Sequence, residues 1–166
     1  MNPMLQPRVS KITINMGVGK DGEPLDKAVK VLEMITNQKP VRTKTQKRIP
    51  AFDLRPGMAI GCKVTLRGVT AIAFLKKALD AVDSKLKVSN FDDTGNFAFG
   101  IREHIDLGGM KYDPTLGVYG MNVCVTLEKP GYRVAFRKNR RHIGKKHRVT
   151  KDEAMEFAKK MGAMLE

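Results

Sequence analysis

The sequence predicts an α+β fold: a single domain with an antiparallel sheet, helices packed on one face, and a basic extended arm before the C-terminal helix. Strand patterns follow one another directly at residues 41–67 and again at 97–127. This order favours antiparallel pairs, because parallel neighbours need a crossover between them. Three segments with helical periodicity separate these patterns. A chain of 166 residues fits one domain, predicted to span residues 1–166, with a buried core.

The first half of the chain predicts a strand, a helix and a strand pair. Polar and apolar residues alternate over residues 9–16, as in a half-buried strand. Apolar residues then recur at helical spacing over residues 25–35. This helix should end near Asn37, since the residue before a proline avoids the helical region. Residues 41–48 and 59–67 are predicted strands, joined by a flexible loop at about residues 49–58.

The second half predicts a helix, further strands and a last helix. The helix, residues 69–82, has an apolar stripe of Ile72, Leu75, Leu79 and Val82. The last helix should begin at a capping box, in which Thr150 and Glu153 satisfy each other's backbone amides. Between these helices we predict strands at residues 97–105 and 120–127, a long loop at 106–119, and a short strand at 132–136.

Two short runs hold the whole net charge of +14. Residues 39–48 carry five Lys or Arg and residues 129–148 carry nine, and neither run contains an acid. A basic excess confined to two patches favours a polyanion partner, whose counterions are released on binding. The aromatic content of 6% and the absence of tryptophan favour recognition of RNA backbone and shape over stacking on single strands.

The composition argues against several other classes of protein. We expect neither a membrane span nor a secretory signal, because no apolar run is long enough and the first residues lack a basic segment. Cys62 and Cys124 belong to no CxxC pair and are predicted to be buried free thiols. His142 and His147 have no cysteine pair to complete a zinc site, so we predict no metal and no cofactor.

A glycine motif after the first strand has two interpretations. Gly17, Gly19 and Gly22 match the GxGxxG pattern of dinucleotide-binding proteins. That fold also needs an acid at the end of the next strand, where residues 41–48 carry only positive charge. A flexible turn, or backbone amides that touch an RNA phosphate, is therefore favoured. No nucleophile–base, Walker or metalloprotease signature is found, and we predict that the protein is not an enzyme.

The second basic run is predicted to be an RNA-binding arm. Seven of the twelve residues 137–148 are Arg or Lys, and these repel one another without a polyanion. A solvated tail is the alternative, but it does not explain the apolar residues Tyr132, Val134, Phe136 and Ile143 that are interleaved with the charges. Arginine suits phosphate because its planar guanidinium binds in a bidentate way. We expect the arm to become ordered only on RNA.

Several motifs together resemble one family. In chain order they are KITINMGVG at 11–19, ITNQKPVRTKTQKRIPAFDLRPG at 35–57, IGCKVTLRG at 60–68, FLKKAL at 74–79, NFDDTGNFAFGIREH at 90–104 and GMNVCVTL at 120–127. Over nearly its whole length the chain closely resembles the universal L5 family of large-subunit ribosomal proteins, the carriers of 5S rRNA. Its ending, PGYRVAFRKNRRHIGKKHRVTKDEAMEF, resembles the archaeal and eukaryotic branch.

The resemblance implies a non-catalytic, cytoplasmic component of the central protuberance of the large subunit. Such proteins hold 5S rRNA against large-subunit rRNA, touch the P-site tRNA and meet a small-subunit protein across the interface. By position, the loop at residues 106–119 faces the small subunit. The residues that the resemblance places against 5S rRNA are Lys11, Asn15, Gln38, Lys39, Thr43, Lys44, Lys47, Thr65, Arg67 and Asn96.

The resemblance also assigns the other basic residues. The loop at residues 49–58 matches a segment that approaches tRNA, with Arg48 and Arg55 as phosphate contacts and Asp53 as an opposing charge. Two other functions stay open: an RNA- or tRNA-binding chaperone outside the ribosome, and an NAD-type enzyme built on the glycine motif. The arm would contact large-subunit rRNA or tRNA through Arg133, Arg137, Lys138, Arg140, Arg141, Lys145, Lys146 and Arg148.

Overall fold

Alternating polar and apolar residues form the strands of a five-stranded antiparallel sheet. A computed structural model of the chain describes residues 2–19, 21–109, 112–139 and 141–165. The predicted α+β fold class is confirmed. Two short strands, β4 (Lys85–Leu86) and β7 (Met164–Leu165), pair in parallel. The main strands, in hydrogen-bonded order, are β2 (Val41–Lys44), β3 (Ala59–Leu66), β1 (Arg8–Gly17), β6 (Met121–Glu128) and β5 (Phe97–Ile101).

Three helices accompany the sheet: α1 (Glu23–Thr36), α2 (Gly68–Asp80) and α3 (Lys151–Lys160). The helix α1 ends where predicted, at Asn37, which takes the left-handed conformation and donates its amide to a carbonyl of the last turn. The predicted capping box of α3 is present, with both of its reciprocal hydrogen bonds. No helix in the described part of the chain is long and apolar enough to cross a membrane.

The buried stripe of α2 lies elsewhere than predicted. Leu75 and Leu79 are buried as expected, but Ile72 is 43% exposed and Phe74 is buried instead. The buried small residue Ala71 lies one turn before Phe74 on the same helix face. Alanine presents little apolar surface, so the prediction used only the spacing of the larger residues. It therefore included Ile72 in the stripe and left out Phe74.

The described residues group into two compact units. The hairpin unit comprises the described residues within 13–66 and 100–123. In its core Ile14 and Leu32 are fully buried, as is Cys62 of β3, against which α1 packs. Burial raises the pKa of the Cys62 thiol, which therefore stays protonated. The predicted single domain stays a prediction.

The arm unit comprises the described residues within 2–12, 67–99 and 124–165. Its core contains α2 and a row of aromatic rings. The ring centroids of Phe91 and Phe97 lie 5.2 Å apart, and those of Phe97 and Phe99 lie 6.4 Å apart. Such pairs add to the stability that burial of their area provides.

Besides the α2 stripe, four details of the prediction are wrong. The basic strand ends at Lys44 rather than residue 48, and the strand predicted to reach residue 105 ends at Ile101. Residues 132–136 form a 3₁₀ turn rather than a strand, so the arm is not extended there. Cys124 is exposed, because alternation along β6 directs Met121, Val123, Val125 and Leu127 to the core instead.

Candidate nucleic-acid interface

Strand β1 has one polar face that is turned away from its buried residues. Ile12 and Ile14 are fully buried. Lys11 and Asn15 lie at the alternate positions and are partly exposed. Period-two alternation therefore places both predicted RNA contacts on the same face of the strand.

The β2–β3 pair presents a second polar row within the hairpin unit. Thr43 lies opposite Gly61 in the antiparallel register, and Lys63 and Thr65 follow at alternate, exposed positions of β3. A Cβ at position 61 would lie 2.6 Å from the carbonyl oxygen of Met16 and 3.0 Å from Oγ1 of Thr43. Only glycine permits this close approach, so Gly61 leaves the room that the Thr43 hydroxyl occupies.

Arg42 faces the other way. It lies opposite Cys62, on the side of α1, and its guanidinium forms a salt bridge with the carboxylate of Asp26. One of the five basic residues in the first run therefore has an acidic partner within the protein. The sequence alone counted this charge as part of the RNA-binding patch, since it gives no register for β2.

Two further basic residues of the first run, Lys44 and Lys47, flank a backbone ladder that continues past β2. The Thr45 amide donates to the carbonyl of Met58 at 2.8 Å, and the Gly57 amide donates back to the Thr45 carbonyl at 2.9 Å. The Thr45 hydroxyl donates to the carbonyl of Lys47. Lys44 and Lys47 are both exposed, so their ammonium groups project from an ordered backbone.

The loop at residues 49–58 is closed by its own backbone. The amides of Ile49 and Leu54 exchange hydrogen bonds with each other's carbonyls at 3.0 and 3.1 Å. A 3₁₀ turn at Pro50–Phe52 forms the tip, where the Phe52 ring is 73% exposed. The predicted tRNA contacts, Arg48 and Arg55, are both exposed on this loop.

Three predicted contacts lie at helix ends. Gln38 and Lys39 follow the end of α1 and are exposed. Arg67 immediately precedes α2 and is also exposed, while its carbonyl accepts the Thr70 hydroxyl at 2.8 Å. The Arg67 side chain makes no capping bond, which leaves its guanidinium directed to solvent.

Asn96 belongs to a turn held by side-chain hydrogen bonds. Its amide nitrogen donates to Oγ1 of Thr94 at 2.9 Å, and that hydroxyl donates to the Asp92 carboxylate. The Thr94 hydrogen bond, with a second from the Asp93 amide, holds the pKa of Asp92 below its ordinary value. The Asn96 amide therefore has a fixed orientation.

A glycine-lined groove in the hairpin unit escaped the sequence analysis. Its volume is about 500 Å³, and its walls include Asn15, Arg102 and Asn122. A Cβ at Gly120 would lie 3.0 Å from the Arg102 carbonyl, so this floor needs glycine. The alternation of β6 could have placed Asn122 outward, but no sequence pattern shows that three chain segments meet here.

An ion pair with a buried ammonium group ties the two ends of the basic arm together. The Lys129 side chain is 3% exposed, and its Nζ lies 2.7 Å from Oε1 of Glu153 and donates to the Arg148 carbonyl at 3.2 Å. Burial alone would raise the pKa of Glu153, but hydrogen bonds from Lys129 and from the Thr150 amide lower it overall. Lys129 is thus a structural residue and not part of the RNA-facing charge.

Two further hydrogen bonds join the same two ends of the arm. A ring nitrogen of His147 lies 2.8 Å from the Pro130 carbonyl, and the Tyr132 hydroxyl accepts the Val149 amide at 2.9 Å. We call residues 129–132 and 147–153 the arm stem. The basic residues between or beside these anchors are exposed: Arg133, Arg137, Lys138, Arg141, Lys145, Lys146 and Arg148. Arg140 lies outside the described residues.

The loop after β5 is anchored in the hairpin unit by a buried histidine. His104 is 3% exposed, and its Nδ1 accepts the Tyr119 amide at 3.3 Å. Burial lowers the pKa of His104, which favours the neutral ring. The Tyr119 hydroxyl donates to the Pro24 carbonyl at 3.0 Å, so both ends of the loop are fixed.

Comparison with known proteins identifies the family. Residues 59–157 match the family model described as the ribosomal L5P family C-terminus, and residues 2–55 match the model of ribosomal protein L5. The chain belongs to the uL5 family of ribosomal proteins. The large ribosomal subunit protein uL5 of Methanococcus maripaludis strain C6 is 54% identical over 159 residues, which cover 93% of this chain and 88% of the relative. That of Methanococcus vannielii is 53% identical and covers 97% and 92%.

As a uL5-family chain, the protein is a ribosomal protein of the large subunit. The sequence-based resemblance is thereby confirmed. The structure brings Thr43 and Thr65 onto one face and gathers the arm residues beyond one stem. The contacts of these residues with RNA stay predictions.

Proposed function

We propose that this uL5-family protein binds 5S rRNA and anchors it in the central protuberance of the large subunit. The observation that carries the proposal is the polar face of the β2–β3 pair, where Thr43, Lys63 and Thr65 lie together without an acid. Exposed Lys44 and Lys47 extend this face. Hydroxyl and ammonium donors on a rigid sheet suit phosphates and 2′-hydroxyls of folded RNA.

The loop at residues 49–58 is proposed to meet the P-site tRNA. Its backbone bridge between Ile49 and Leu54 fixes the tip. Arg48 and Arg55 supply charge, and the exposed Phe52 ring supplies a surface on which a base can stack. Asp53 at the tip opposes phosphate, so phosphate contacts are assigned to the two arginines.

The arm and the loop at residues 106–119 are proposed to have different partners. The arm carries exposed basic residues beyond its stem and suits large-subunit rRNA or tRNA. The loop instead exposes Tyr112 and Val118, which are 57% and 48% accessible. Exposed apolar and aromatic side chains suit a protein surface, in agreement with a small-subunit protein across the interface.

Binding to 5S rRNA across a salt series, with excess tRNA as competitor, tests the main proposal. Specific binding should survive the competitor and salt of roughly 0.2 M, because contacts to folded RNA add to counterion release. If tRNA removes all binding and the salt slope is steep, the protein is a general RNA-binding chaperone. That outcome would contradict the proposal.

Arg55→Ala separates the two RNA partners. It should leave 5S rRNA affinity unchanged, because Arg55 lies on the loop beyond the polar face of β2–β3. It should weaken only tRNA-dependent behaviour of assembled ribosomes. The matched control is Arg67→Ala, which removes an equal charge from the proposed 5S surface. A large loss of 5S affinity in Arg55→Ala would contradict this division of roles.

A further inference from the structure

A polar recess lies beside the arm stem, within the arm unit. Its volume is about 320 Å³, at the lower end of the roughly 300–1,000 Å³ typical of small-molecule sites. Three chain segments meet there: the turn with Thr94 and Asn96, the end of β6 with Thr126 and Glu128, and the arm. The sequence-based assignment separated Asn96 from the arm, whereas the structure places both in one wall.

The arm contributes charge and an aromatic ring to this recess. Arg141 and Arg148 provide the two cations, and Tyr132 provides the ring. The Arg141 Nε donates to the Arg137 carbonyl at 2.8 Å, which orients its guanidinium. The Arg148 backbone is held by Lys129, and the Tyr132 hydroxyl by Val149, so the stem presets both positions.

The donors and acceptors in the recess differ in kind. Two guanidinium groups suit a phosphate, and the hydroxyl of Thr126 and the oriented amide of Asn96 suit a base edge or ribose. Glu128 would repel a phosphate, but its carboxylate accepts from a ribose hydroxyl or an exocyclic amine. A bare anion would use only the arginines, whereas a nucleotide uses the whole set.

The conformation of the wall is also constrained. Gly95, with φ of 77°, lies between Thr94 and Asn96, and a Cβ there would lie 2.5 Å from Cγ1 of Val149. The turn therefore packs directly on the arm stem. This packing couples the position of Asn96 to that of Arg148, one residue before Val149.

We propose that the recess binds one nucleotide of an RNA, with its phosphate at Arg141 and Arg148 and its base or ribose at Asn96, Thr126 and Glu128. The proposal extends the proposed RNA-binding function, because it assigns one nucleotide a defined site between the turn and the arm. The nucleotide can belong to 5S rRNA or to large-subunit rRNA. Both sources share this chemistry, and the experiments below distinguish them.

A titration with AMP tests the recess independently of any rRNA. In the full-length protein with ¹³C-labelled isoleucine methyl groups, the methyl of Ile143 in the recess wall should shift by the ring current of the bound base. The methyl of Ile72 on α2, outside the recess, is the control and should not move. Inorganic phosphate uses only the arginines and has no ring current, so a shift of Ile143 as large as that with AMP would overturn the assignment of a base to the recess. No shift of Ile143 with AMP, or equal shifts of both methyls, would overturn the proposal.

Thr126→Phe then identifies the source of the nucleotide. The substitution fills the recess without changing charge, so RNA affinity should fall about tenfold, the effect of losing one well-placed base contact. The salt slope should fall by no more than the value of one phosphate contact, roughly 0.7–0.9, because only the phosphate of the displaced nucleotide leaves its arginines. Ser89→Phe adds the same ring at an exposed position outside the recess and should have no effect.

The outcomes are distinguishable. A loss confined to 5S rRNA, or to a fragment of large-subunit rRNA, assigns the nucleotide to that molecule. If Thr126→Phe binds both RNAs like the wild type, the recess proposal is overturned while 5S binding stands. If the wild type fails to bind 5S rRNA, the proposed function fails, and the AMP titration still decides whether the recess accepts a nucleotide. The same titration on Thr126→Phe should show no Ile143 shift.

Discussion

The two basic regions of this protein hold their charges in different ways. In the hairpin unit, Lys44 and Lys47 lie on a backbone ladder that runs from β2 through the Thr45 amide toward the loop at residues 49–58. In the arm unit, the basic residues lie beyond a stem that side chains close, with Lys129 and Glu153 at its centre. One patch is ordered by secondary structure and the other by a few tertiary contacts at its ends.

This difference predicts different responses to perturbation. Backbone hydrogen bonds of a strand pair do not depend on a single side chain, so charge substitutions on the hairpin should change binding and not folding. The arm stem depends on one buried ammonium, whose removal from water is offset only by its partners. A single substitution in the stem should therefore be enough to detach the arm from its anchoring contacts.

Glu153→Gln should have the largest effect on stability. It leaves the Lys129 ammonium buried without a counter-charge, which typically costs about 3–5 kcal/mol. Because the Glu153 side chain is 37% exposed, water reduces this loss, and we expect the lower end, about 3 kcal/mol. Urea unfolding measures the change, and Glu156→Gln, an exposed carboxylate on the same helix, is the control. Equal stabilities of the two variants would show that the stem does not depend on this pair.

Gly61→Ala should perturb the hairpin by a smaller amount. The added methyl would lie 2.6 Å from the Met16 carbonyl, and relief of this overlap by a backbone shift costs about 1–3 kcal/mol. The shift should also displace Thr43 and weaken 5S rRNA binding. Gly108→Ala, where a methyl meets nothing within 4 Å, is the control for both measurements. Unchanged 5S affinity in a destabilised Gly61→Ala protein would place the RNA on another face.

Paired lysine substitutions compare the two patches at equal charge. Lys44→Ala with Lys47→Ala should weaken 5S rRNA binding and flatten its salt slope, by roughly 0.7–0.9 for each lost phosphate contact. Lys145→Ala with Lys146→Ala removes the same charge from the arm and should alter 5S binding less, since this arm segment is assigned to other RNA. Equal losses in a filter-binding salt series would mean that only net charge matters.

As pH falls, the hairpin unit should lose stability before the arm stem does. These are the smallest effects of this series. The lowered pKa of His104 means that its neutral form stabilises the native state. That contribution is complete above its ordinary value of 6.5 and decreases as pH falls from there. The lowered pKa of Glu153 gives a contribution that is complete above 4.5 and is lost below it. Amide resonances of Tyr119 and Val149 followed by NMR should therefore change in that order. The opposite order would contradict both assignments.

Much of the architecture followed from local patterns. The alternation in β1, the capping box of α3 and the end of α1 at Asn37 depend on residues within a few positions of one another, and each was predicted correctly. The position of the α2 stripe was not, because Ala71 and Ala78 carry little apolar signal. The family resemblance was likewise carried by contiguous motifs, and the family comparisons confirmed it.

The sequence predicted less well which individual charges have a partner within the protein. Sequence placed Arg42 and Lys129 among the basic residues that seek a polyanion, but both have an acidic partner within the protein. Asp26 and Glu153 are 16 and 24 positions away, and no local pattern links such partners. A count of charge in a run therefore overstates the charge that has no partner within the protein.

The sequence by itself determined the fold class, the family, and the two runs in which positive charge accumulates, because periodicity, motifs and net charge are properties of neighbouring residues. Only the tertiary structure decided which of those charges are free, that the arm is closed at a stem, and that Asn96, Thr126 and Arg148 border one recess. These features depend on which distant segments pack together. Distant segments pack together because burying apolar surface stabilises the fold. Polar groups buried in that packing must find partners, which can come from any part of the chain.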